Sequence, residues 1–90
     1  KGALWENYLI SERKKILNYQ DIYANSYFWR TFQQSEIDYI EEENEEISAF
    51  EFKWNPKAKW NISKPFKENY NPKEIKIIHP QNYYEFLGIE

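Results

Sequence analysis

Three ionisable side chains of this 90-residue chain, Asp38, Glu51 and Lys53, stand at a spacing that could do chemistry. If Asp38 and Glu51 lie side by side, their like charges destabilise the pair unless something relieves them. Relief can come from a shared proton with a raised pKa, from the nearby Lys53, or from a divalent cation bridging both carboxylates. Two carboxylates, the Phe52 carbonyl and water make the hard oxygen set that Mg²⁺ or Mn²⁺ prefers. Lys53, two residues beyond Glu51, could then orient a water or stabilise charge developing on a phosphate, and the chemistry would be metal-assisted phosphodiester hydrolysis. Glu-x-Lys alone carries little, because it also occurs at Glu12-Arg13-Lys14 and Glu74-Ile75-Lys76. The bland alternative is an exposed ladder of Glu36, Asp38, Glu51 and Lys53 with small energetic worth.

A hairpin must bring these residues together. Ser35–Glu42 and Glu46–Trp54 alternate with period two, and the break falls at Glu43-Asn44-Glu45. A two-residue turn at Asn44-Glu45 sets Asp38 opposite Glu51, Glu36 opposite Lys53 and Ile40 opposite Ala49 on one side of the sheet. Ile37, Tyr39, Phe50, Phe52 and Trp54 fall on the other, as a core face. Residues 3–19 read as a helix with Trp5, Tyr8, Leu9, Ile16 and Tyr19 inward, Asn7, Lys14 and Asn18 outward, and Glu12 central to the apolar side. Ala24–Phe32 reads as a strand. Beyond the hairpin, Ser63 can cap a short helix through about Tyr70. Glu74–His79 reads as a buried strand, with His79 a boundary residue rather than a ligand. Pro80 opens a last helix that carries Tyr83, Tyr84, Phe86 and Leu87 and is ended by Gly88. The predicted order is helix, three strands, helix, strand, helix, in one domain over residues 1–90.

Composition excludes several function classes. There is no cysteine and only one histidine, so disulfide frameworks, thiolate metal sites and sites needing two imidazoles are absent. No apolar run approaches the ~18 residues of a membrane span and no signal-peptide core appears, so a cytoplasmic protein without a membrane partner is expected. The 18 aromatic residues supply a core. No methionine occurs, which suggests a segment of a longer protein. Net charge is -3, but residues 53–79 hold seven basic and two acidic side chains. Lys53, Lys57, Lys59, Lys64, Lys67, Lys73 and Lys76 interleave there with Trp54, Trp60, Phe66 and Tyr70. This stripe reads either as a phosphate-contacting edge with stacking rings or as a solvated lysine face over core.

Leu4-Trp5-Glu6-Asn7-Tyr8, Tyr27-Phe28-Trp29-Arg30-Thr31, Glu36-Ile37-Asp38-Tyr39-Ile40 and Ala49-Phe50-Glu51-Phe52-Lys53 together resemble the C-terminal domain of uncharacterised bacterial and archaeal AAA+-type ATPases. The chain is similar in turn to the PD-(D/E)xK restriction-endonuclease-like superfamily. The resemblance runs from Leu4 to about Leu87. It implies an α/β (α+β) fold: a restriction-endonuclease-like core of helix, three strands, helix and strand, with a mixed sheet and flanking helices. It further implies that Asp38 and Glu51 are metal-binding acids, that Lys53 is the catalytic lysine, and that Glu6 is the acid many members carry on the first helix, with Glu12 the competing candidate. Ile37 stands where the proline of the superfamily name would be. By the same resemblance the cofactor is Mg²⁺ or Mn²⁺ and the partners are DNA and an upstream ATPase domain of the same chain. ATP would bind only that upstream part, since no glycine-rich phosphate loop occurs here. The activity implied is nuclease-like; the alternative is a non-catalytic DNA- or protein-binding regulatory module of the ATPase, and a third reading is a dimerisation domain using exposed aromatics such as Trp60.

Overall fold

The computed structural model describes residues 2–30, 36–59 and 64–88. The chain runs α1 (Gly2–Tyr19), β1 (Asn25–Arg30), β2 (Glu36–Glu43), β3 (Glu46–Phe52), α2 (Lys64–Tyr70), β4 (Glu74–Ile78) and α3 (Tyr83–Phe86). This is the element order the sequence predicts, and an α+β fold. The four strands form one sheet in the order β1-β2-β3-β4, antiparallel except that β4 runs parallel to β3. Ser63 and Trp60 lie outside the described residues, as does the expected continuation of β1 through Phe32. No helix among the described residues is long and apolar enough to cross a membrane.

Local chemistry sets the ends of these elements. α1 closes in a Schellman arrangement: Asp21 takes φ 58°, its amide donates to the Asn18 carbonyl at 3.1 Å, and the Ile22 amide donates to the Leu17 carbonyl at 2.9 Å. Aspartate tolerates this left-handed position better than most side chains. The β2–β3 turn places Asn44 at φ 54° and Glu45 at φ 68°, the two positive values of a type I′ hairpin. Asparagine suits the first position; a glutamate at the second is strained by about 1 kcal/mol. Glu45→Gly should therefore raise the unfolding free energy by roughly 0.5–1 kcal/mol in urea titration, helped by removal of one acid beside the Glu43–Glu46 pair.

The turn fixes the register. Glu43 pairs with Glu46, Glu42 with Ile47, Glu41 with Ser48, Ile40 with Ala49 and Tyr39 with Phe50, as the two-residue turn requires. Against β1, however, Tyr27 pairs with Ile40 and Trp29 with Ile37, so β2 spends one residue more than β1 over this span. That bulge shifts the alternation by one position. Ile37 accordingly leaves the face expected for it and joins Ile40, Ala49 and Phe66 of α2. The side expected to carry Ile40 and Ala49 among charged residues thus holds a second small core, closed by the Trp29 and Phe66 rings at 5.3 Å.

The larger core lies on the other face. Tyr39, Phe50, Phe52 and Ile78 pack against Leu9 of α1 and Phe86 and Leu87 around α3. Burying each large ring or branched chain is worth about 1.5–3 kcal/mol. Three expectations change here. Tyr8 and Tyr19 are exposed, while Leu17 is buried. Trp54 is half exposed rather than core, its ring edge-on to Trp5 at 5.3 Å. The centre of the inward stripe of α1 is held by Arg13, between Leu9 and Leu17, and Glu12 instead pairs with Lys15 at 3.0 Å near the surface. The helical period of about 3.6 residues places 9, 13 and 17 in line, and Arg13 is accepted there because its charge is met.

Candidate metal and catalytic site

At the end of the β2–β3 pair beyond Tyr39 and Phe50, side chains take over from the backbone ladder. The Asp38 amide donates to Glu51 Oε1 at 3.3 Å, and the Phe52 amide donates to Asp38 Oδ2 at 3.0 Å. The regular β2–β3 pairs end at Tyr39 and Phe50, and beyond them the two carboxylates take the backbone amides that the ladder no longer pairs. Each acid is thus tied to the backbone of the partner strand, which brings Asp38 and Glu51 together through side-chain bonds, beyond the last regular pair, Tyr39 with Phe50. It is the Phe52 amide, rather than its carbonyl, that the structure ties to this pair.

Lys53 closes the group from β3's own end, with Nζ 3.4 Å from Glu51 Oε2. Glu51 is only 6% exposed, whereas Asp38 and Lys53 are half-buried and can be reached from solvent. Burial pushes the Glu51 carboxyl up to about 8, with the Asp38 carboxylate adding to the rise and Lys53 opposing it. One of the three ways of relieving adjacent acids is a neighbouring ammonium, which Lys53 supplies, and the raised Glu51 carboxyl is a second. The charge ladder of exposed side chains is not what forms, since its key acid is buried. Glu36 does not face Lys53; across β1 it meets Arg30 at 3.2 Å.

Glu6 comes from α1, half-buried at this same end. Its carboxyl is raised by burial and then by Asp38 and Glu36, and lowered by Lys53, which places it within electrostatic reach of the pair. Of the two acids proposed from the first helix, Glu6 approaches the site and Glu12 does not. Among the described residues no group of three or more His, Cys, Asp and Glu side chains is gathered closely enough to make a ready-made metal cage. The hard-oxygen donors here are the Asp38–Glu51 pair. His79 is a boundary residue: its Nδ1 accepts from the Gln81 amide at 3.1 Å, and its own amide donates to Asn82 Oδ1 at 2.8 Å.

The raised Glu51 carboxyl has a measurable sign. Its folded pKa of about 8 exceeds the ordinary value of 4.5, so the folded state holds a proton that the unfolded chain has lost between these limits. The stability this group contributes is full below about pH 4.5 and declines as pH rises through 8, by up to ~1.4 kcal/mol per pH unit. Glu51→Gln, which keeps the shape and a donor toward Asp38, should flatten this slope and leave the variant more stable than the parent at pH 8. Urea titrations from pH 5 to 9 check it; an unchanged slope would contradict the buried, proton-sharing pair.

A second charged group was missed by sequence reasoning. Arg13 donates from Nε to Glu41 Oε2 at 2.7 Å and from Nη2 to Glu41 Oε1 at 2.9 Å, while Nη1 donates to the Phe86 carbonyl at 2.6 Å. The Tyr39 hydroxyl donates to the same Glu41 at 2.8 Å. Burial first, and Glu41 second, keep the Tyr39 phenol far above its ordinary range. The network ties α1 to the sheet and to α3, and holds the helix that carries Glu6. The available signal was Arg13 at four residues from both Leu9 and Leu17, together with Tyr39-x-Glu41 on one strand face.

The sequence pattern of the family described as Domain of unknown function (DUF4143) matches residues 1–86, and the chain belongs to this family. No curated protein and no solved structure gives a significant match to the chain.

Proposed function

We propose that this DUF4143 member is a metal-dependent, nuclease-like domain that hydrolyses phosphodiester bonds of DNA, with Asp38 and Glu51 holding Mg²⁺ or Mn²⁺ and Lys53 and Glu6 completing the site. The observation that carries this reading is the Asp38–Glu51 pair clasped by reciprocal backbone bonds with the Lys53 ammonium beside it. The donor set fits a hard divalent cation: two carboxylates at one strand end, one buried and holding a proton against its usual tendency, are short of positive charge. A bound cation would supply Lewis-acid charge at a phosphoryl oxygen and lower the pKa of water. Lys53 would orient that water and meet the charge that develops on the phosphate, while Glu6 would accept a proton or a hydrogen bond from the water. In this reading the domain is the C-terminal, PD-(D/E)xK-like part of an AAA+-type ATPase, and ATP acts only in that upstream part.

The test is Mn²⁺-dependent cleavage of plasmid and linear DNA by the purified chain. Asp38→Ala should abolish both cleavage and saturable Mn²⁺ heat in calorimetry; cleavage that persists in Asp38→Ala would assign the activity elsewhere.

A second reading rests on a separate observation. Lys57, Lys59, Lys67 and Lys73 are exposed, and among the described residues none is joined to a carboxylate. That arrangement suits a non-catalytic module that positions the ATPase on DNA. Phe66, by contrast, is 1% exposed in the second core and is unavailable as a stacking ring there. Salt-dependent DNA binding that survives loss of Asp38 and Glu51 but not of Lys57 and Lys59 would select this reading.

A further inference from the structure

Two aromatic rings stand out in the open beside the site. Phe28 on β1 is 71% exposed and Tyr23, just before β1, is 88% exposed. A flat ligand that covers such rings gains from their burial, and these two stand along one edge of the sheet. They are joined by two shallow depressions, of about 200 and 350 Å³. The first is lined by Phe28 and by Asp38 of the proposed metal pair, the second by Tyr23. Lys14, Ser26 and Tyr39 line both, so the two adjoin along one path. Lys14 is exposed at its middle, and its ammonium meets no carboxylate among the described residues. The Arg30 guanidinium, 5.9 Å from the Phe28 ring centre, is already paired with Glu36 at 3.2 Å, which leaves Lys14 as the cation of the path.

We infer that this path is the seat of a single nucleic-acid strand, with one base stacked on Phe28, another on Tyr23, and the intervening phosphate on Lys14. This rests on the hydrolytic reading above and names its substrate form. The chemistry favours an unpaired strand for two reasons. Free rings can stack only on bases that are not already stacked in a duplex, and each such stack is worth about 1–3 kcal/mol. A lone cation between two rings meets one phosphate, whereas the exposed lysines of a duplex-binding face meet many. The path leads to Asp38, so a strand lying in it delivers a phosphodiester to the carboxylate pair. Lys14, Phe28 and Tyr23 act here as positioning residues.

The experiment measures binding of fluorescein-labelled oligothymidylate and of a blunt duplex to the chain by anisotropy in EDTA, where the proposed hydrolysis cannot run. Phe28→Ala and Tyr23→Ala should each weaken oligothymidylate binding by roughly tenfold, from the loss of one stack. Lys14→Ala should lower the salt slope of that binding by about one. Duplex binding should be unchanged in all three. Because the three side chains are exposed, an unaltered melting temperature shows that the fold is intact. Oligothymidylate binding indifferent to Phe28→Ala and Tyr23→Ala, or no binding at all, overturns the inference. So does self-association in sedimentation that Phe28→Ala abolishes, since the ring would then be covered by a second copy. The two readings separate cleanly: Mn²⁺ bound at Asp38 without strand binding sinks the path alone, and ring-dependent strand binding without Mn²⁺ sinks the hydrolytic site alone.

Discussion

Glu41→Ala should cost about 3–5 kcal/mol of unfolding free energy. Glu41 is 7% exposed and receives both a bidentate Arg13 contact and the Tyr39 hydroxyl. Removing it leaves a guanidinium, whose side chain is 21% exposed, with the Phe86 carbonyl and the face of the Phe86 ring but no hydrogen-bonded carboxylate among the described residues. Breaking one partner of a buried pair costs more than deleting both, because the remaining charge stays desolvated. The double variant Arg13→Leu with Glu41→Ala should therefore recover much of the loss. Urea titration of the single and double variants tests this; a single-variant loss under ~1 kcal/mol would show that the pair behaves as a surface ion pair. Because α1 carries Glu6, the same variant should also loosen the site end of the helix.

Lys53→Met is expected to reduce Mn²⁺-dependent cleavage by about 10²–10³-fold, the loss that accompanies removal of one preorganised charge-stabilising group. Methionine keeps the length of the stem but no charge. The ammonium stands 3.4 Å from Glu51 and is half-buried, so its position depends on the carboxylate pair and not on the fold as a whole. The variant should fold normally and still take up Mn²⁺. Cleavage rate and calorimetric Mn²⁺ affinity, measured side by side, separate the two roles. Equal loss of affinity and rate would make Lys53 a structural neighbour of Glu51, and unchanged cleavage would remove it from the mechanism.

Much of the site was legible because hairpins leave little freedom. Once Asn44 and Glu45 form the turn, pairing up to Tyr39 and Phe50 follows by counting, and Asp38 and Glu51 then come together through side-chain bonds just past the last regular pair. The bulge was not legible. Glu36-Ile37-Asp38-Tyr39-Ile40 alternates without a flaw, and the extra residue is visible only against β1, where Trp29 meets Ile37. Its consequence is that Ile37 joins Ile40, Ala49 and Phe66 in the second core under α2. Arg13 was hidden for another reason. A hydropathy pattern ranks arginine as the most outward residue, so Glu12 was assigned the inward place; only long-range partners 28 and 73 residues away make the guanidinium acceptable inside. In the lysine stripe Phe66 belongs to the core, as the reading of a solvated lysine face over core has it, while Trp54 is half exposed and leans on Trp5.

The measurement that bears most directly on the proposed site is anomalous scattering at the manganese edge from crystals of the chain soaked in Mn²⁺. The account predicts one peak between the carboxylates of Asp38 and Glu51, near the Lys53 ammonium, that disappears in Asp38→Asn while the surrounding strands stay in place. A fully ordered Asp38–Glu51 pair with no peak at saturating Mn²⁺, or a peak that persists in Asp38→Asn, would contradict it.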